Sequence, residues 1–145
     1  ARAGFSNLNM HTGYGELCYA VVEGIAFIHK HHIDFLISAG LPANLIRLTG
    51  GMAKSPVWTQ IFADTMGLPV EVVECDETGA HGVAIVAGIG AGVYKSYEEA
   101  FARSVKLKPA VLPNLEKTVF YQKRYAEWQR LNHHLLRYWE GEQDG

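Results

Sequence analysis

Apolar positions first fall into register between about Tyr14 and Ser38. Leu17, Val21, Ile25, Ile28 and Phe35 recur near a 3.6-residue period, and Val22, Phe27 and Leu36 widen the stripe. The spacing predicts a long helix, apolar on most sides and therefore buried, ended by Gly40 and Pro42. Residues 1–15, with Asn7, Asn9, His11, Thr12, Gly13 and Gly15 among few periodic apolar positions, read as a loop. The period then drops to two. Ile46 and Leu48 alternate with polar neighbours in a strand from Leu45 to Leu48, followed by the Gly50-Gly51 turn. Ser55 is placed as an N-cap and Pro56 as a first helical residue of a second helix. That helix runs to Met66, is stopped by Gly67 and Pro69, and turns Val57, Ile61 and Phe62 to the core.

Val70 to Glu74 alternates again and predicts a second strand. Two strands joined through a helix make a parallel crossover. Asp76, Glu77, Thr78 and Gly79 form a polar turn, and a third helix follows from about Ala80 to Val93. Its small residues, Gly82, Ala84, Ala87, Gly88, Ala91 and Gly92, weaken a helix on their own and suit close packing by a neighbour. Ser96-Tyr97-Glu98-Glu99 matches a capping box and starts a fourth helix reaching Val105. Lys106 to Pro113 reads as an extended connector. A last helix, about Glu116 to Trp139, carries the stripe Tyr121, Tyr125, Trp128, Leu131 and Leu135. Two strands against five helices make an incomplete sheet, since a two-stranded sheet is marginal alone. The expectation is an α/β chain that begins partway through a larger polypeptide, with an open strand edge and an apolar face. These would be covered by the remainder of that polypeptide or by self-association.

Composition narrows the field. The 145 residues are 48% hydrophobic and 19% charged, as in a folded chain. A net charge of -2 offers no basic field for nucleic acid. The longest apolar run, Gly82 to Val93, is too short and too rich in glycine to cross a membrane. Cys18, within an apolar helical run, is expected to be buried, and Cys75 follows a strand. Neither belongs to a CxxC pair, so no metal or redox site is expected, and a reducing cytoplasm is the simplest setting.

Candidate chemistry centres on the glycine turn. Free N–H groups there and at the following helix start can receive an anion such as a phosphate, although any α/β domain needs a strand-to-helix turn. Glu23 lies in an apolar run, either as a buried carboxylate satisfied by a nearby donor or as a member of a functional site. His29, His31 and His32 lack the i, i+4 spacing of a ligand pair and read as a solvated face. The basic and aromatic mixture of the last helix has the spacing of a docking helix.

Three stretches in order resemble the C-terminal region of the FGGY carbohydrate kinases, of the actin-like ATPase superfamily. They are Ala20-Val21-Val22-Glu23-Gly24-Ile25-Ala26-Phe27, then Leu48 through Asp64, then Glu77-Thr78-Gly79-Ala80-His81-Gly82-Val83-Ala84. The nearest flavour is a xylulokinase or L-xylulokinase. The likeness covers about Ala1 to Tyr94. It implies part of an actin-like ATPase (ribonuclease H-like) domain. Residues 1–145 would be the C-terminal part of the second, ATP-binding domain of a two-domain enzyme that phosphorylates a pentulose hydroxyl. It further implies ATP and Mg²⁺ as cofactors, and a catalytic aspartate and sugar pocket outside this chain, so that the chain alone is inactive.

By the same resemblance Gly50 and Gly51 pass close to the ATP phosphates and ribose. Met52 and Ser55 border the adenosine, and Lys54 reaches either solvent or a phosphate. Asp64, matching the family's Ala-Asp pair, takes a structural role. The chain departs from the family at Met52, where a smaller residue is common, and at His81, where a small or apolar one is. The rival readings are a non-kinase actin-like ATPase domain and a free-standing interaction module.

Overall fold

The computed structural model describes residues 3–141. In chain order it contains α1 (Tyr14–Ser38), β1 (Ile46–Leu48), a 3-10 turn (Gly51–Lys54), α2 (Pro56–Met66), β2 (Val70–Val72), α3 (Thr78–Gly90), α4 (Tyr97–Ser104) and α5 (Leu115–Gly141). These elements divide between two compact units. One comprises the residues up to Pro42, the stretch Asp64–Gly67, and those from Pro113 onward. The other comprises Ala43–Ala63 and Leu68–Leu112.

The first unit is built on α1 and α5. Glu16 in the first turn of α1 accepts the Gly13 N–H at 2.6 Å, placing a carboxylate at the positive end of the helix. At the other end Gly40, with φ +88°, donates to Ile37, and Leu41 donates to Leu36, the paired bonds of a Schellman stop. Phe27, 3% exposed, is the hub of the packing. Its ring lies 5.6 to 6.4 Å from the rings of Tyr121, Tyr125 and Trp128, spaced along one face of α5. Burying a phenylalanine side chain is worth about 2–3 kcal/mol. Glu23, a turn before Phe27, is also buried, and its two carboxylate oxygens accept Arg124 Nε at 2.5 Å and Nη2 at 2.6 Å. Tyr19 and Tyr121 share a short hydrogen bond between their hydroxyls. Asp64 is buried and accepts the backbone N–H of Asn114 at 2.8 Å, while Asn114 caps α5 by accepting the Lys117 N–H at 3.1 Å.

Helix α1 is not buried on most sides. Only Glu23, Ala26 and Phe27 are enclosed, while Val21, Ile28, Phe35, Leu36 and Ile37 lie in the open. A single partner helix covers one stripe of a cylinder, and this helix is apolar on more than one. Cys18 is exposed for the same reason, off the covered stripe. The last helix repeats the pattern. Tyr121 and Tyr125 are buried, whereas Leu131, later in the same stripe, is exposed.

The second unit holds a parallel pair, with Ile46 opposite Val70 and Leu48 opposite Val72. Arg47 and Glu71 close a 3.0 Å ion pair between the strands, and the Arg47 guanidinium lies 4.7 Å from the centre of the Phe101 ring. The connector after α4 does more than link. Lys108 donates to Val72 at 2.9 Å, and Val111 and Val70 exchange bonds at 2.8 and 2.9 Å, so it runs antiparallel along β2 and closes that edge. Both strands are shorter than their alternation suggests, because the chain bends away as soon as the ladder ends.

In α2 the buried run is Thr59 and Ile61 through Met66. Val57, expected in the core, stands in the first turn before that run begins and is 64% exposed. Helix α3 starts at Thr78 and buries none of its residues. At its end Tyr94 lies so close over Gly88 that a Cβ there would meet the ring at 2.8 Å, which is where the small residues are used for packing. The fourth helix has its expected cap, with Ser96 accepting from the Glu99 N–H. The Glu99 carboxylate reaches back to Lys95 and not to Ser96.

Candidate functional site

Parallel strands present their carboxyl ends on the same side, and ligands of α/β sheets bind there. In the second unit the segments leaving β1 and β2 wall a cavity of about 290 Å³. Gly50 and Ala53 form the side that follows β1. Val73, Glu74, Cys75 and Asp76 form the side that follows β2, and Lys108 enters from the connector.

Gly50 is the reason the chain can turn here. Its φ of +81° with ψ of -162° is a conformation in which a side chain is strained by about 1–3 kcal/mol. Gly51 is different. Its φ is not positive, and a Cβ built on it meets nothing within 4 Å. The positive angle that the pair requires therefore rests on Gly50 alone, and Gly51 borders open space. The turn continues as 3-10 helix through Met52, Ala53 and Lys54. Ser55 then caps α2, its Oγ accepting the Trp58 N–H at 3.4 Å.

Of the five residues expected around a nucleotide, Gly50 and Lys54 line the cavity. Gly51, Met52 and Ser55 follow the same turn without lining it. Lys54 points toward a partner: its Nζ lies 3.0 Å from Asp76 Oδ1, and this hydrogen bond raises the ammonium above its ordinary pKa. With Glu74 and Lys108 the lining carries two cations and two carboxylates, and so no formal net charge. Asp76 and Lys108 escaped sequence reasoning. The polar turn after β2 was visible, but its approach to Lys54 depends on the parallel register, and Lys108 arrives only because the connector pairs with β2. His81 stands in the first turn of α3 and is partly exposed, outside the lining.

A larger cavity, about 560 Å³, lies in the first unit against Tyr19, Ala20 and Phe120. Its polar groups are committed to one another: Glu23 to Arg124, Tyr19 to Tyr121, and Glu16 to the Gly13 N–H. That lining is largely apolar, whereas the smaller cavity lies at the carboxyl ends of the parallel strands with four charged side chains on its walls, so the smaller one is the better candidate. Burial within the same unit raises Tyr121 far above the usual phenol range and pushes Tyr125 up to about 12. Among the described residues no group of three or more His, Cys, Asp or Glu side chains comes together to hold a metal, and no helix is long and apolar enough to cross a membrane.

Comparison with known proteins agrees with this geometry. Residues 1–91 match the C-terminal domain model of the FGGY family of carbohydrate kinases. The chain is 33% identical over 129 residues to an L-xylulose/3-keto-L-gulonate kinase of Escherichia coli, covering 89% of this chain and 26% of that protein. It is 37% identical over 91 residues to an autoinducer-2 kinase of Yersinia pestis, covering 63% of this chain and 17% of that protein. Among solved structures, a xylulose kinase from Rhodospirillum rubrum superimposes with a TM-score of 0.84 at 26% identity, over 97% of this chain and 28% of that one. The chain thus spans about a quarter of the length of the L-xylulose/3-keto-L-gulonate kinase and of the xylulose kinase, and its helices and two-stranded parallel sheet are part of an actin-like ATPase fold. The matched segment contains α1, the glycine turn, α2, β2 and α3 together, and on that extent the chain belongs to the FGGY family of carbohydrate kinases.

Proposed function

We propose that residues 1–145 are the C-terminal part of the second, ATP-binding domain of a two-domain kinase that transfers the γ-phosphoryl group of ATP to a hydroxyl of a pentulose. The observation that carries this reading is the turn itself. Gly50 holds a glycine-only conformation at the carboxyl end of β1, over a cavity edged by Lys54, with open space at Gly51. Phosphoryl transfer depends on positioning and on balancing charge. In this reading Gly50 and Gly51 admit the ligand's phosphates and ribose close to the backbone, Met52 and Ser55 border the adenosine, and Lys54 supplies a cation for a phosphate. The L-xylulose and xylulose kinases among the relatives favour a pentulose as acceptor.

The described residues assemble no metal-holding group of their own. Mg²⁺ would arrive with the phosphates it neutralises, a role that suits its preference for oxygen ligands. The base that takes the sugar proton and the pocket for the sugar would lie in the rest of the intact protein, as would the surfaces that cover α1 and α3.

The test is ADP production by the intact protein across a panel of pentuloses, hexuloses, aldonates and glycerol, with the 145-residue chain assayed beside it. The expected result is turnover on a pentulose by the intact protein and none by the chain alone. Sugar-dependent turnover by the chain alone would overturn the division of labour, and turnover by the intact protein on every class except pentuloses would overturn the substrate.

A further inference from the structure

The cavity at the glycine turn combines a cation suited to a phosphate with a carboxylate that already occupies it. Lys54 Nζ is 3.0 Å from Asp76 Oδ1, and both side chains are largely exposed. Glu74 and Lys108 add one further charge of each sign, so the lining offers a polyanion no net attraction. An ammonium has three donors but one unit of charge. A phosphate arriving beside Lys54 therefore meets a cation whose charge is largely answered by Asp76, and it is repelled by Asp76 itself. An exposed lysine–carboxylate pair is held only weakly, so exchanging the carboxylate for a phosphate is easy in either direction.

Resting on the nucleotide reading above, we propose that Asp76 is a built-in competitor for the nucleotide's phosphate at Lys54. It is a positioning residue that weakens the grip on phosphate-bearing ligands and so eases their release. It acts on the phosphate end of the ligand and not on the nucleoside end. The consequence is specific: removing the carboxylate strengthens binding, whereas removing an ordinary structural contact weakens it.

The experiment is calorimetric titration of the intact protein with ADP and, separately, with adenosine. Asp76→Asn should bind ADP about fivefold more tightly, the most that a weakly held, exposed lysine–carboxylate pair can withhold from a phosphate, with adenosine binding unchanged. Asp76→Glu, which keeps the competing carboxylate, should stay near the parent value. Lys54→Met should weaken ADP and not adenosine, and in that background Asp76→Asn should recover much less. Unchanged or weaker ADP binding in Asp76→Asn overturns the proposal while leaving the nucleotide reading intact. Equal tightening with and without Lys54 overturns it too, since Asp76 would then act by bare repulsion. If Lys54→Met leaves ADP binding untouched, Lys54 is not at the phosphates, and this part of the nucleotide reading falls together with the proposal.

Discussion

Replacing Arg124 by methionine should harm the fold more than replacing Glu23 by glutamine, although both break the same ion pair. The asymmetry follows from burial. The Glu23 side chain is 6% exposed and the Arg124 side chain 45% exposed. Arg124→Met retains the aliphatic stem but leaves a buried carboxylate with no counter-charge, a situation that costs about 3 kcal/mol or more. Loss of the guanidinium near the Phe120 ring, 5.7 Å away, adds about 0.5 kcal/mol. Glu23→Gln leaves a cation that is nearly half in water and can hydrate, so only the hydrogen-bond contribution is lost, about 1–1.5 kcal/mol. In a chain of this size the first change corresponds to a fall in Tm of roughly 6–12 °C.

Urea unfolding followed by circular dichroism at pH 7 and pH 5 measures both. In Arg124→Met the stranded, buried carboxyl is costly only in its charged form. Its penalty is therefore relieved as pH falls toward 5, and the deficit relative to the parent shrinks. Equal losses for the two variants, or a deficit in Arg124→Met that grows on acidification, would refute the reasoning.

Three further outcomes are expected. Gly50→Ala should cost about 1–3 kcal/mol by forcing a side chain into the +81° conformation, while Gly51→Val should fold nearly as the parent yet raise the apparent KM for ATP in the intact protein with little change in sugar binding. Thermal melts and steady-state kinetics separate the two, and an unaltered KM in Gly51→Val would remove Gly51 from the nucleotide. Stability should fall as pH rises from about 10 toward 12, because unfolded tyrosines ionise near 10 while Tyr125 is pushed up to about 12 and Tyr121 is raised beyond it. Tyr125→Phe should flatten that part of the pH profile, and a slope unchanged in the variant would show that the burial of Tyr125 does not set it. Finally, the isolated chain should self-associate through the apolar residues exposed on α1, so sedimentation at micromolar concentration should show species larger than a monomer. A clean monomer with cooperative unfolding would refute this.

The hydrophobic pattern carried much of the fold because its periods are local. The end of α1 and the bounds of α2 follow from the stop at Gly40, the cap at Ser55 and the stop at Gly67, and the parallel pairing follows from two short alternating runs with a helix between them. What stayed hidden depends on meetings between distant residues. Nothing near Glu23 indicates that its donor is Arg124, and nothing in the Lys106–Pro113 stretch shows that it will pair with β2. Burial was overestimated for Cys18 and Val57 because an apolar neighbourhood in sequence does not reveal which side of a helix a neighbour covers. At the candidate site the glycine turn and Lys54 were legible as residue types, whereas Asp76 became visible only once the register brought β2's outgoing chain beside it.

The pairing along β2 has a consequence for how this sheet can grow. The connector occupies the outer side of β2, so among the described residues only the outer side of β1 remains available. On β1, Ile46 donates to Pro69 and Leu48 accepts from Val73, so both of these residues direct their backbone toward β2. Alternation then leaves Arg47 as the residue whose N–H and C=O face away. One residue is thus the docking point for any added strand, and its side chain is already fixed by Glu71 and Phe101. Within β1, an incoming strand would therefore take its backbone hydrogen bonds from Arg47, the residue whose side chain already ties β1 to β2.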